Sequence, residues 1–235
     1  MSLGELPVTG RVYYRLKDLT DLSGNARTLV NNNSVTLGPA KFDGGADFGS
    51  AGTNKSLTYA GGNVMSTLTP ANITMSFWFK LNDATTSAAN AGLVHTYTRL
   101  TAGTGACRLI SFYNITGTTI TITGSMQLTT AGNVQVNFSD TATTNKWYNV
   151  VITKVATNTL NMYVNGNLVS TTTEAGNDTI PAVTATAFLS IGNNATSQIV
   201  QSFSKIDEVI VVQRVWTASE VRKYYNQGKG LNAAQ

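Results

Sequence analysis

The acidic residues are the side chains whose spacing first suggests chemistry in this sequence. Only 12 of its 235 residues are Asp or Glu. One of them, Asp21, opens the turn "DLSGN" directly after an apolar, aromatic run. The turn explains Gly24 and Asn25, which accept left-handed backbone conformations, but it does not require a carboxylate. Asp21 therefore has two possible roles: an Asx turn that satisfies backbone N–H groups, or a metal ligand.

Catalytic arrangements are missing from the sequence. Glycosidases need two carboxylates at a set separation, and glucanases built on a two-sheet sandwich carry them on alternate residues of one strand. No Glu-x-Asp-x-Glu run occurs here. His95 and Cys107 are the single histidine and the single cysteine, which excludes the usual Cys/His zinc site and an intrachain disulfide. We therefore predict that the chain is not an enzyme.

Composition and charge exclude further functional classes, namely nucleic-acid-binding and membrane-associated proteins. Charged residues make up 12% of the chain, about half the usual ~25%, and Thr and Asn fill the polar positions. The net charge of +4 comes from scattered lysines and arginines, so nucleic-acid binding is not expected. The sequence shows neither a signal peptide nor an apolar run long enough to cross a membrane, so no membrane partner is expected.

Alternation of apolar and polar residues is the dominant pattern. In "ITMSFWFKL" five apolar side chains share one face and Trp78 points the other way. The alternating run "TLNMYV" is followed by Asn165-Gly166, a strong hairpin signal. One helix is expected near the C-terminus, where Thr217 and Glu220 form a capping box, Val221, Tyr224 and Tyr225 share a face, and Gly228 is a possible stop. Many short strands with turns between them predict an all-β sandwich.

Four stretches, in order, resemble the laminin-G-like branch of the concanavalin-A-like lectin and glucanase superfamily. They are "YYRLKDLTDLSGNA", "AKFDGGADFGS", "NKWYNVVITKVATNTLNMYVNGNLV" and "KIDEVIVVQRVWTASEVRKYYNQG". Tyr148 stands where the third motif often has His, and residues 82–144 show no such motif. The resemblance implies a two-sheet antiparallel jelly-roll sandwich over residues 11–228 with a short C-terminal helix, an extension at 1–10 and a tail at 229–235.

The resemblance also implies paired first and last strands and a structural calcium near their junction. Its ligands would be the Asp21 carboxylate, a carbonyl of Gly24 or Asn25, and Asp207. The alternative is an Asx turn at Asp21 and a cap or ion pair at Asp207. In a regular strand Asp207 and Glu208 face opposite ways, so both can ligate one ion only at a bulge.

Members of this superfamily include lectins, and the resemblance implies a non-catalytic binding module. Trp78, Tyr97 and Tyr113 are the candidate sugar-binding aromatics, with Tyr148 a further one, although a core position explains each equally well. Trp147 and Trp216 occupy family-like core positions and are assigned to packing.

The chain is also similar to stand-alone bacteriophage domains, which implies a virion-associated decoration or adhesion protein. Such a protein would be located on a virion surface or outside the cell and would form an oligomer or part of a larger assembly. Its expected partners are cell-surface carbohydrate or neighbouring virion subunits. The alternatives are a purely structural virion protein and a bacterial extracellular carbohydrate-binding module.

Overall fold

Two antiparallel sheets and one short helix form the molecule. The computed structural model describes residues 11–49, 54–59, 72–85, 88–98, 108–127, 133–155, 158–174, 187–193, 202–226 and 229. The predicted extension at 1–10, Cys107, Gly228 and residues 230–235 lie outside the described residues. The prediction of an all-β jelly-roll sandwich with a C-terminal helix is confirmed.

Sheet A contains eight strands. In chain order they are β1 (Arg11–Tyr14), β3 (Thr36–Gly38), β4 (Gly45–Asp47), β6 (Ile73–Leu81), β11 (Tyr148–Val155), β12 (Thr159–Val164), β13 (Asn167–Thr173) and β15 (Ser204–Val212). Their spatial order is β13-β12-β11-β6-β15-β4-β3, and β1 pairs with β15 beside the short β4. The predicted pairing of the first and last strands is therefore confirmed, with Tyr14 opposite Val209.

Sheet B contains seven strands and lies across the core from sheet A. In chain order they are β2 (Val30–Asn32), β5 (Ser56–Tyr59), β7 (Ala88–Thr98), β8 (Arg108–Thr116), β9 (Thr119–Gln127), β10 (Asn133–Thr141) and β14 (Ala187–Ile191). Their spatial order is β10-β9-β8-β7-β14-β5-β2. Four of these strands, β7, β8, β9 and β10, come from residues 82–144, where the sequence offered no family motif.

The predicted alternation fills the core between the sheets. The five inward side chains of β6 are buried there, and Val134 and Val136 of β10 join them from sheet B. On β9 the small Gly124 makes room for Ile152, because a Cβ at that position would approach its Cδ1 to 2.7 Å. Burial of these apolar side chains is the main stabilising force of the sandwich.

The Asn165-Gly166 hairpin forms as predicted between β12 and β13. Both residues adopt positive φ, 50° for Asn165 and 81° for Gly166. A Cβ on Gly166 would approach Tyr225 to 2.9 Å. The glycine thus serves both the turn and the close approach of the helix.

Helix α1 (Ala218–Tyr225) covers part of the outer face of sheet A. The predicted capping box is present, with Thr217 Oγ1 accepting from Glu220 N at 3.2 Å and Thr217 N donating to Glu220 Oε2 at 2.7 Å. The helix ends at Asn226, which has the left-handed φ of 45°, two residues before the expected stop at Gly228. Its buried residues pack in a second cluster on outward-facing side chains of the sheet: Tyr13, Val151, Tyr163, Ile210 and Val212.

No helix among the described residues combines the length and the apolar character needed to cross a membrane.

Candidate functional site

The centre of the outer face of sheet A carries two rows of functional side chains. Strands β15, β6 and β11 are neighbours there, and their registers set the rows. Because Tyr148 pairs with Phe79, the preceding residue, Trp147, lies across from Lys80. The first row is Asp207–Trp78–Asn149, and the second, here called the lysine–tryptophan row, is Lys205–Lys80–Trp147.

The first row is covered by the protein itself. Trp78 faces away from the core between the sheets, as predicted, but is only 1% exposed. Tyr225 of α1 stacks on its indole at 5.7 Å between ring centroids, and Phe42 meets it edge-on at 5.5 Å. The Lys41 ammonium lies 5.1 Å from the same ring. The prediction that Trp78 is an exposed sugar-binding platform is therefore wrong, because the helix and the loop before β4 cover the ring.

Two other candidate aromatics, Tyr113 and Tyr148, are not exposed platforms either. Tyr113 is fully buried in the core, where it stacks near Phe79 and its hydroxyl accepts a hydrogen bond from Phe203 N at 2.9 Å. Burial raises its pKa to about 12. Tyr148 is also buried. The side chain of Tyr97 lies outside the described residues, so its binding role stays a prediction.

The lysine–tryptophan row lies at the margin of this covered area and remains partly exposed. Trp147, which the sequence analysis assigned to packing, is half-buried. Trp216 keeps its packing role and is 4% exposed. The Lys80 ammonium lies 5.8 Å from the Trp147 ring centroid. Strand alternation could have identified Trp147, because an inward Tyr148 requires its neighbour to face outward.

A bulge in β15 brings Asp207 and Glu208 together beneath α1. Glu208 has a φ of 51°, and the register with β6 shifts between Asp207 and Ile210. This is the irregularity that the sequence analysis required for both carboxyls to share a site. Both are buried, at 0% and 2% exposure.

Separate partners hold the two carboxyls of the bulge. Glu208 accepts a hydrogen bond from the Tyr13 hydroxyl at 2.7 Å and lies 3.4 Å from Arg15 Nε. Asp207 Oδ2 accepts from Phe42 N at 3.0 Å. Burial, together with the nearby Glu208 charge, raises the pKa of Asp207 to about 7, although the hydrogen bond from Phe42 opposes this. Burial also raises the pKa of Tyr13, and the adjoining Glu208 charge adds to that effect.

Asp21 forms the Asx turn that the sequence analysis held as the alternative to a metal. Its Oδ1 accepts from Tyr13 N at 3.1 Å and Ser23 N at 2.9 Å, and its Oδ2 accepts from Ser23 Oγ at 2.8 Å. Gly24 has a φ of 85°, and Asn25 Nδ2 donates to Ser23 Oγ. The turn thus ties the loop to β1, which pairs with the last strand. Among the described residues, no three His, Cys, Asp or Glu side chains form a group that could hold a metal.

Calcium at Asp21, Gly24, Asn25 and Asp207 stays a prediction, and thermal melts with and without a chelator test it. We expect Asp21→Ala to lower the free energy of unfolding by about 1–3 kcal/mol, because three donors lose their acceptor. If calcium contributes, a hundredfold excess over Kd adds about 2.7 kcal/mol that the chelator removes only from the wild type. Equal melts with and without chelator leave the Asx turn as the whole role of Asp21.

His95 has the structural role that the sequence analysis favoured over catalysis. It lies on β7 opposite Ser190 and Ile110 and is fully buried. On the outer face of sheet A, by contrast, the three side chains of the lysine–tryptophan row are partly exposed.

Comparison with known proteins identifies the family. Residues 51–222 match the laminin-G-like family of the Concanavalin A-like lectin/glucanases superfamily. No curated protein sequence matches the chain.

Solved structures share the fold at low sequence identity. The binding domain of botulinum neurotoxin serotype C1 superimposes with a TM-score of 0.66 and 16% identity, covering 97% of this chain and 53% of that one. The binding domain of botulinum neurotoxin DC in complex with SialylT gives 0.64 and 16%, with 97% and 53% covered. The same domain in complex with rat synaptotagmin II gives 0.64 and 16%, with 93% and 51% covered. The chain thus spans about half the length of these structures. With 172 of its 235 residues matched, the chain belongs to the Concanavalin A-like lectin/glucanases superfamily.

Proposed function

We propose that this chain is a non-catalytic carbohydrate-binding module whose sugar lies on the lysine–tryptophan row. The observation that carries the proposal is the position of Trp147, the one tryptophan of three that is not buried. An indole offers a large, rigid surface of mixed character, and the C–H faces of sugar rings pack against such surfaces. The lectin-containing family and a related structure described with SialylT support the same class of ligand.

The non-catalytic part of the proposal rests on the state of the carboxyls. The bulge of β15 brings Asp207 and Glu208 together in the row next to the lysine–tryptophan row, and both are buried beneath α1 and the Lys41–Asp43 loop. Glu208 is held by Tyr13 and Arg15. Glycoside hydrolysis needs a carboxyl pair that flanks an accessible glycosidic bond. We therefore expect no turnover of β-glucans or galactans by the wild type, and hydrolysis that Glu208→Gln abolishes would contradict this.

A single shallow sugar site is expected to bind weakly. Display of many copies on a virion or another extracellular assembly, as the similarity to bacteriophage domains implied, raises the effective affinity by roughly 10²–10⁴. The low charge of the chain, 12%, is compatible with neutral hydrogen bonding to glycans and neighbouring subunits. Virion display is thus part of the proposal and supplies the avidity that the site needs.

Trp147→Ala is expected to abolish glycan binding while the protein stays folded. Multimerised wild-type protein and variant are compared on a glycan array, with thermal melts as the check on folding. Leu168→Ala is the matched control, because Leu168 is a 54% exposed apolar side chain of the same sheet, on the edge strand β13. Binding lost in Trp147→Ala and kept in Leu168→Ala supports the proposal. Equal binding by all three proteins places the sugar elsewhere and contradicts it.

A structural role through protein contacts is the second candidate. Leu168 and Val169 expose apolar surface on the edge strand, where a neighbouring chain could pack. A related structure is described in complex with rat synaptotagmin II, a protein. A silent glycan array together with assembly on a capsid or tail, through an interface above roughly 1,000 Å², would favour this role.

A further inference from the structure

Among the described residues, Lys80 beside Trp147 and Lys41 beside Trp78 form no ion pair with a carboxylate. Within the described part of the chain, Lys205 pairs with Asp47 at 3.5 Å, Lys146 pairs with Asp140, and Arg15 pairs with Asp43 and Glu208. In the same described residues, the ammonium groups of Lys41 and Lys80 form no such pair and lie against aromatic rings. The outer face of sheet A therefore presents unneutralised positive charge next to its one accessible indole.

The ring contacts hold these ammonium groups weakly. Lys80 lies 5.8 Å from the Trp147 centroid, near the outer limit of about 6 Å for cation–π attraction. At an exposed site such a contact is weak. A charge-assisted hydrogen bond to an anion is stronger. An anionic group bound above the row would therefore draw the Lys80 ammonium away from the ring and leave the indole for stacking.

The strand register places the two lysines around the same surface. Lys80 and Trp78 are two residues apart on β6 and share its outer face, so they lie about 7 Å apart. Lys41 reaches the same area from the loop before β4, since its ammonium lies 5.1 Å from the Trp78 ring. Trp147 lies on the opposite side of Lys80 from Lys205. Lys80 thus lies between Trp147 and Lys205 on the outer face of the sheet, and Lys41 contacts the neighbouring Trp78 ring.

We propose that the lysine–tryptophan row selects acidic glycans, in which a sugar ring stacks on Trp147 and its carboxylate or sulfate group accepts a hydrogen bond from Lys80, while Lys41, over the neighbouring Trp78 ring, adds positive charge to the same face. This inference rests on the proposed function and adds the charge class of the sugar. Neutral glycans gain only the stacking contact and bind more weakly.

The test compares matched pairs of oligosaccharides that differ only in the acidic group. Three forms are titrated by calorimetry: the carboxylated sugar, the sulfated sugar and the neutral counterpart. We expect the wild type to prefer one or both acidic forms by about tenfold or more, and the preference to shrink at high salt. The carboxylated and sulfated arms decide which anion the site takes.

Lysine variants test whether the lysine–tryptophan row causes the preference for acidic oligosaccharides. Lys80→Gln is expected to lower affinity for the acidic form by about tenfold more than it lowers affinity for the neutral form. Lys80→Arg, which keeps the charge, is expected to restore most of the preference. Lys223→Gln is the matched control, because Lys223 is an exposed lysine of α1 and its removal changes the net charge equally.

Four results would overturn the inference. Equal affinity for acidic and neutral forms, with both lost in Trp147→Ala, removes the anion selectivity and leaves the sugar site. Equal loss in Lys80→Gln and Lys223→Gln, or binding of single-stranded DNA as tight as that of the acidic sugar, shows unspecific attraction by net charge. Absence of binding to every form overturns the inference together with the proposed function.

Discussion

Trp78→Ala is expected to lower the free energy of unfolding by about 3–5 kcal/mol, the range for truncating a buried Trp. The side chain is 1% exposed, and its loss removes the stacking with Tyr225 and the edge contact with Phe42. The cavity would lie directly beside the buried Asp207, which pairs across the sheet with Trp78. Urea unfolding followed by circular dichroism measures the change.

Trp147→Ala provides the comparison, because the same residue type is lost from a partly exposed position. It is expected to cost about 1 kcal/mol or less. Should Trp78→Ala fail to fold, Trp78→Phe retains part of the packing and is expected to give a smaller loss in the same direction. Similar losses for the two alanine variants would contradict the burial of Trp78 beneath the helix.

Asp207→Asn is expected to remove a pH-dependent loss of stability. Burial raises the pKa of Asp207 from its usual 3.8 to about 7 in the folded chain. The folded state therefore binds the proton more tightly than the unfolded state does. The resulting stabilisation is fully present below about pH 4 and is lost as the pH rises to about 7. The difference of about 3 pH units, at about 1.4 kcal/mol each, sets an upper limit of about 4 kcal/mol.

Urea unfolding at several pH values between 4 and 8 measures this effect. An asparagine can still accept the hydrogen bond from Phe42 N through its amide oxygen, so the variant tests the proton and keeps the contact. The stability of Asp207→Asn relative to wild type should rise steadily across the window. Asp18→Asn should leave the pH profile in this window largely unchanged, because the hydrogen bond from Thr20 N lowers the pKa of Asp18 and its contribution is lost only as the pH falls below about 4. Parallel profiles for wild type and Asp207→Asn would contradict a buried, protonated carboxyl.

Local patterns in the sequence predict much of the sandwich. Alternation predicted the five inward residues of β6, and the Asn165-Gly166 pair predicted a hairpin. Thr217 with Glu220 predicted the start of the helix. Each of these features depends on residues close together in the chain. The unaligned residues 82–144 nevertheless supply strands of sheet B, because strand formation requires the alternation and no family motif.

The site was harder to predict because it depends on what covers the outer face of sheet A. Trp78 was correctly placed facing outward, yet α1 and Phe42 bury it. A signal was available: the unbroken apolar run Val209–Val212 indicates a strand that is buried on both faces. The bulge at Glu208 had no such signal, since glutamate is not favoured at positive φ. Tertiary packing imposes that conformation at a cost of about 1–3 kcal/mol.

The indole N–H resonances of the three tryptophans provide the most direct test of the sugar site. Trp78 and Trp216 are buried and Trp147 is partly exposed, so the three signals report on different environments. Wild-type protein is titrated with the acidic oligosaccharide that binds best, and Trp147→Phe assigns its resonance. We predict that the Trp147 signal shifts in a saturable manner while the Trp78 and Trp216 signals stay in place. A bound sugar that leaves the Trp147 signal unmoved would contradict a carbohydrate site on the lysine–tryptophan row.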